Sequence, residues 1–206
     1  MTEELKQLIR VQLAKMNGWC SEAKAFDLCS TVIEMRPETV VEIGVFAGKS
    51  LICIAHGLRH NQRGRVYGID PWEKGECMVD EIEANKSWWA SVDIDGIYAE
   101  AQRHVSENAF SGYVTLMRES SASASKFFGC YAHIDILHID GNHSEWTSTH
   151  DVAVWIPRVK NGGMIFMDDV NWPSTETARK LLAKRCELLR QVEGVESTYA
   201  VYKKLW

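Results

Sequence analysis

Apolar positions in the first 36 residues recur with a helical period. Leu5, Leu8, Ile9, Leu13 and Met16 fall three or four apart and predict an amphipathic helix ending near Asn17-Gly18. Ser21 is placed to cap a second helix reaching about Met35, with Pro37 as its stop. The pattern then changes to short, β-branched runs alternating with helical stretches. Strands are predicted at Thr39–Ile43, Arg65–Asp70, Val114–Met117, Ile134–Asp140 and Met164–Met167, with Asn161-Gly162-Gly163 as a turn before the last of these. Helices are predicted at about Lys49–Arg59, Ile97–Asn108, Thr149–Val159 and Ser174–Cys186. Two final strands, Glu187–Val192 and Thr198–Lys204, are separated only by residues 193–197.

Strands that read as near-continuous apolar runs and alternate with helices imply a parallel sheet covered on both faces. The last two strands lack room for a crossover, so they pair as an antiparallel hairpin at one edge. The expected fold is α/β: a Rossmann-like, doubly wound, mostly parallel seven-stranded sheet with a C-terminal hairpin and N-terminal helices. There is no repeat, low-complexity tract or linker, so residues 1–206 are read as one domain. Residues 1–36 form its N-terminal helices. Residues 73–96, charged and carrying Trp88 and Trp89, form a lid-like insertion over the sheet edge.

Composition narrows the partners. A formal charge of −5 argues against a general nucleic-acid binder. No apolar run approaches a membrane span, and the first residues lack the apolar core of a signal peptide. A cytoplasmic setting is expected, and the six cysteines, none in a C-x-x-C pair, read as core or incidental thiols. The sequence admits a homo-oligomer without specifying one.

Candidate chemistry begins at Val40-Val41-Glu42-Ile43-Gly44-Val45-Phe46-Ala47-Gly48-Lys49-Ser50. A buried strand feeding a Gly-bearing turn and a helix N-terminus is how open α/β sheets build a ligand crevice. Gly44 suits a positive φ and close approach of a ligand, and Gly48 close packing of helix on sheet. The spacing G-x-x-x-G lacks the middle glycine of a dinucleotide site. With Glu42 beside it, a cationic or hydroxyl-bearing ligand fits better than a diphosphate. Acids also end the later strands: Asp70 about 26 positions after Gly44, the offset of a ribose-binding acid, then Asp140, Asp168 and Asp169. Five carboxylates at one edge would repel one another, so something positive is expected among them. Asp140, Asp168 and Asp169 could hold a hard divalent cation such as magnesium. Asp168 and Asp169 converge only if their strand has ended. His143, three residues after Asp140, is a candidate general base. His138 reads as a core histidine and His150 as part of a helix start.

These segments, with Gly18-Trp19-Cys20-Ser21, Tyr67-Gly68-Ile69-Asp70-Pro71-Trp72, Trp88-Trp89, His138-Ile139-Asp140-Gly141-Asn142-His143 and Gly162-Gly163 through Asp169, resemble class I S-adenosylmethionine-dependent methyltransferases. The resemblance is to the metal-dependent branch of macrocin-type O-methyltransferases and cephalosporin hydroxylase-like proteins. It implies that Glu42, Gly44 and Gly48 hold the methionyl end of the cofactor, that Val45 and Ser50 also bind the cofactor, and that Asp70 holds the ribose. Trp72 and Ser121 would flank the adenine, and Asp140 would border the cofactor. Asp140, Asp168 and Asp169 would bind the metal, with His143 as base and a small hydroxylated molecule as acceptor. Trp88, Trp89 and Trp172 are candidate walls that keep water out. Two other readings stay open. One is a nicotinamide oxidoreductase, disfavoured by the glycine spacing and the terminal hairpin; the other is a cofactor-binding protein without turnover.

Overall fold

The structure is a computed structural model describing residues 1–80, 83–194 and 198–206. The connection expected at 193–197 therefore lies partly outside the described residues, as does a small part of the 73–96 insertion. Helices α1 (Glu3–Leu13) and α2 (Glu22–Met35) come first. Ser21 caps α2, its hydroxyl accepting from the Lys24 amide, and Arg36 ends the helix in the left-handed region before Pro37. The elements β1 (Thr39–Ile43), α3 (Lys49–Asn61), β2 (Arg65–Asp70), α4 (Lys74–Cys77), α5 (Glu83–Ser91), α6 (Ile94–Glu107) and β3 (Val114–Arg118) follow. The chain continues through α7 (Ser121–Ala124), β4 (Ile134–Ile139), α8 (Glu145–Trp155), β5 (Val159–Asp168), α9 (Glu176–Ala183), β6 (Cys186–Val192) and β7 (Tyr199–Lys204).

Among the described residues the strands form one sheet in the order β3-β2-β1-β4-β5-β7-β6. The five strands from β3 to β5 are parallel; β7 runs antiparallel to both β5 and β6, which makes β6 the edge. The expected α/β fold and terminal hairpin are therefore present. Some boundaries moved. Strand β5 already includes Asn161-Gly162-Gly163, which the sequence reading places in a turn, and Gly162 takes φ +80 within it. Helix α8 starts at Glu145 under the Ser144 cap, so His150 lies inside it rather than at its start. No helix among the described residues is long and apolar enough to cross a membrane.

Alternation along the strands decides what each face carries. Val40, Val66, Ile136, Phe166 and Val201 pack with Leu28 and Val32 of α2 and Leu51 and Ile54 of α3. Their neighbours Val41, Leu137, Ile165 and Ala200 pack with Val152 and Trp155 of α8 and Leu182 of α9. Glu42, His138 and Asp168 follow the parity of Val40, Ile136 and Phe166. Three polar side chains of the central strands are thereby directed beneath α2 and α3. Register brings them side by side: Glu42 pairs with His138, and Phe166 lies opposite His138 on β5.

Candidate active site

At the carboxyl ends of β1, β2, β4 and β5 lies a cavity of about 540 Å³, within the usual range of small-molecule sites. Gly44 closes its floor. It takes φ +83, donates its amide to Ile69 O at 2.9 Å, and lies so close to β4 that a Cβ would stand 1.9 Å from Asp140 O. Only glycine permits that approach. Gly48 behaves differently from the expectation. It takes φ +90 as the residue before α3, but its nearest neighbour beyond a Cβ is Ala101 at 3.9 Å, so its conformation matters and its packing does not.

Asp70 is committed to the turn that shapes the cavity. One carboxylate oxygen accepts the Val45 and Phe46 amides, both at 2.9 Å, and the other accepts the Trp72 amide at 2.8 Å. Burial raises its pKa despite those donors. Asp70, Val45, Ser50 and Ser121 line the cavity. Three of the expected cofactor residues, Gly48, Trp72 and Glu42, do not. Trp72, at φ +41, turns inward, is 1% exposed, donates its indole N–H to Phe46 O and lies against Tyr98, while Pro71 takes the cavity wall. Glu42 is fully buried one contact behind the wall. Its Oε1 accepts from Ser50 Oγ and faces His138 Nδ1 at 3.0 Å, and its Oε2 has no partner among the described residues. An orphaned buried carboxylate oxygen behind a cavity-lining serine fits a cationic ligand group above it.

The acids at the strand ends do meet, in two groups. His138, Asp140 and Asp168 form one set of facing donor atoms and Asp140, His143 and Asp169 the other. The first holds the positive charge that the sequence demanded. Lys24 of α2, with no exposed surface, places its ammonium 3.0 Å from Asp140 Oδ2 and in hydrogen-bond contact with Asp168 Oδ2. On the other side of Asp168, His138 Nε2 lies 3.4 Å from Oδ1. Burial opposes the charged forms of Lys24 and His138. The acids prevail, raising Lys24 well above its ordinary value and His138 to about 10. Asp168 is correspondingly held well below the usual carboxylate range, burial notwithstanding, by Lys24 and His138. Asp140, buried and beside the Asp168 charge, is pushed up to about 6. His138 is thus buried, as a core histidine would be, and bridges Glu42 and Asp168.

The second group faces the cavity. Strand β5 stops at Asp168, and Asp169 takes φ +50, which lets two successive acids serve one edge. Asp169 Oδ2 lies 2.9 Å from His143 Nε2. Burial disfavours the imidazolium, but the hydrogen bond and charge of Asp169 outweigh it and raise the His143 pKa. Trp172 lies edge-on to His143 with ring centroids 5.2 Å apart. Also lining the cavity, Trp19, Phe46, Trp88 and Trp89 form one aromatic group, with Trp19–Trp88 at 5.2 Å and Trp88–Trp89 at 4.7 Å. Asn142 donates to Val79 O at 2.9 Å and ties the His143 loop to the 73–96 segment.

The expected magnesium site on Asp140, Asp168 and Asp169 does not fit this arrangement. The three acids do not present a common set of oxygens: Asp168 is 3% exposed with both oxygens engaged by cations, and Asp169 is turned to His143. Sequence reasoning also missed Asp151. It is 2% exposed, lines the cavity, accepts from Ser121 Oγ, and is raised by burial to about 6.

A family profile described as a methyltransferase domain matches residues 41–170, the stretch from β1 to just past Asp169. No curated protein sequence matches the chain. Among solved structures, the O-methyltransferase TomG of Streptomyces achromogenes, in complex with S-adenosylmethionine, superposes with a TM-score of 0.68 at 14% identity, covering 100% of this chain and 92% of that one. An O-methyltransferase from Bacillus cereus in complex with S-adenosylhomocysteine gives 0.65 at 14% identity over 99% and 92%. An S-adenosylhomocysteine-bound methyltransferase from Podospora anserina gives 0.60 at 12% over 99% and 88%. With the profile spanning most of the sheet and the whole acidic edge, the chain belongs to this methyltransferase-domain family and is a class I S-adenosylmethionine-dependent methyltransferase.

Proposed function

We propose that this enzyme methylates a hydroxyl oxygen of a small molecule with an apolar or aromatic body. The observation that carries the reading is the His143–Asp169 pair on the cavity wall, beside Trp172. S-adenosylmethionine supplies a methyl group on a sulfonium centre, and its leaving group departs as a neutral thioether. The acid-rich sheet edge suits that cation, with Ser50, backed by Glu42, at the methionyl end and Asp70 and Ser121 toward the nucleoside. The chain's own task is alignment and proton removal. With Nε2 of His143 committed to Asp169, the other ring nitrogen is the one that takes the acceptor's proton. Asp169 then stabilises the imidazolium that results. Trp88, Trp89 and Trp172 exclude water and present flat surfaces to the acceptor.

The metal-assisted form of this reaction, expected from the sequence, would need Asp140, Asp168 and Asp169 to turn their oxygens to one ion. The cavity-facing alternative, Asp140, His143 and Asp169, would spend His143 as a ligand and remove it as base. The contacts of Lys24 and His143 with these carboxylates favour the metal-independent form. The test is release of S-adenosylhomocysteine with a panel of phenolic and alcoholic acceptors, with and without a chelator. Turnover on hydroxylated acceptors is expected in both conditions. Tight cofactor binding with no product on any acceptor would favour a binding-only protein, and binding of NAD in place of S-adenosylmethionine would reject the reading.

A further inference from the structure

We infer that Lys24 is the resident cation of the acidic edge, an ammonium fixed where a divalent ion bridging Asp140 and Asp168 would sit. Its stem descends from the first turn of α2, capped by Ser21, on the stripe that also carries Leu28 and Val32. A lysine on the buried face of a helix is expensive unless it is fully paired. Here it is paired twice, with Asp140 and Asp168.

The geometry leaves little choice between the two kinds of cation. A hard divalent ion needs oxygens at about 2.0–2.6 Å, and bridging Asp140 Oδ2 and Asp168 Oδ2 would put it on the ammonium itself. Asp168 cannot offer its other oxygen freely, because that atom faces His138. His138 in turn bridges to Glu42, so the row Glu42–His138–Asp168–Lys24–Asp140 is a continuous chain of alternating partners. Lys24 is absent from the cavity wall and does not touch the reacting atoms. It is a positioning residue. It holds Asp140 at the cavity rim with a fixed orientation and cancels charge that would otherwise capture a metal.

This inference refines the cation of the proposed methyl-transfer site, and a metal-binding readout without acceptor separates the two. The chelator-treated, desalted enzyme is titrated with Mn²⁺ and the free ion is followed by electron paramagnetic resonance. The wild type is expected to bind no tighter than the millimolar range. Lys24→Met, which frees the two carboxylates, should bind at least tenfold more tightly, and Lys24→Arg, which keeps the charge, should behave as the wild type. One equivalent of Mn²⁺ bound at micromolar concentration by the wild type would overturn the assignment. So would a folded Lys24→Met protein with no gain in affinity. If Lys24→Met does not fold, the wild-type titration decides alone. Failure of methyl transfer on every acceptor leaves this measurement untouched.

Discussion

The Nε2 atom of His143 lies 2.9 Å from Oδ2 of Asp169, across a turn in which Asp169 has left strand geometry. A strand continuing past Asp168 would have sent the second acid to the opposite face of the sheet. The left-handed step is what converts an Asp-Asp dipeptide into one acid for Lys24 and another for the base.

That division of labour predicts unequal phenotypes. His143→Ala should lower kcat about 10²- to 10⁴-fold, the usual worth of a positioned general base, with S-adenosylmethionine affinity within about twofold of wild type. Asp169→Asn should retain more activity, because the ring keeps a hydrogen-bond partner but loses a charge. Single-turnover rates with calorimetric cofactor binding distinguish the two. A fully active His143→Ala enzyme would remove the base from the mechanism.

Gly44 and Gly48 offer a paired test of why this turn is built from glycine. Both have positive φ, but an alanine Cβ at 44 would collide with the Asp140 backbone, whereas at 48 it meets nothing closer than 3.9 Å. Gly48→Ala should cost only the left-handed backbone strain, about 1–2 kcal/mol. Gly44→Ala should cost several kcal/mol, lowering Tm by roughly 10 °C or more at a few degrees per kcal/mol, and should abolish cofactor binding. Equal thermal shifts for the two variants would mean that β1 and β4 can separate without penalty.

The aromatic wall predicts a defect in binding rather than in stability. Trp88 is 41% exposed and held by Trp19 and Trp89 rather than by the core. Trp88→Ala should raise the acceptor KM about fivefold to thirtyfold, the equivalent of 1–2 kcal/mol of lost aromatic contact, with Tm nearly unchanged. Trp146→Ala, on the outer surface of α8 and 69% exposed, is the control and should alter neither. A Trp88→Ala enzyme with normal KM but a lowered Tm would reassign Trp88 to structure.

Much of this was legible in the sequence because each chemical residue stands where a periodic pattern stops. Glu42, Asp70, Asp140 and Asp168 interrupt or end apolar runs, and parallel strands carry such ends to one edge. The failures are equally physical. Lys24 passes unmarked in the sequence until its place on the Leu28–Val32 stripe is noticed, four and eight positions on. Trp72 and Pro71 are neighbours after a strand, and only the positive φ of Trp72 decides which one meets the cavity. Strand register put His138 beside Glu42, and register is a property of paired strands that one strand's composition does not encode.

A last prediction concerns pH and a histidine remote from the chemistry. His56 of α3 is 1% exposed; its Nε2 lies 2.5 Å from Gln12 Oε1, and its Nδ1 accepts from the Arg59 guanidinium at 3.1 Å. The neutral ring is thus satisfied at both nitrogens, and a proton on Nδ1 would face Arg59. Burial first, and the Arg59 charge second, lower its pKa from 6.5 to about 4. The unfolded chain therefore takes up a proton near pH 6.5 that the folded chain refuses until about pH 4. Stability present above pH 6.5 is lost progressively as the pH falls through that window, by about 3 kcal/mol in all. His56→Gln keeps a donor for Gln12 and an acceptor for Arg59 but cannot titrate. Between pH 7 and pH 4.5 its Tm should fall by roughly 5–10 °C less than that of the wild type. Parallel Tm-against-pH curves for the two proteins would show that the ring is protonated in the folded state and that Arg59 moves aside to allow it.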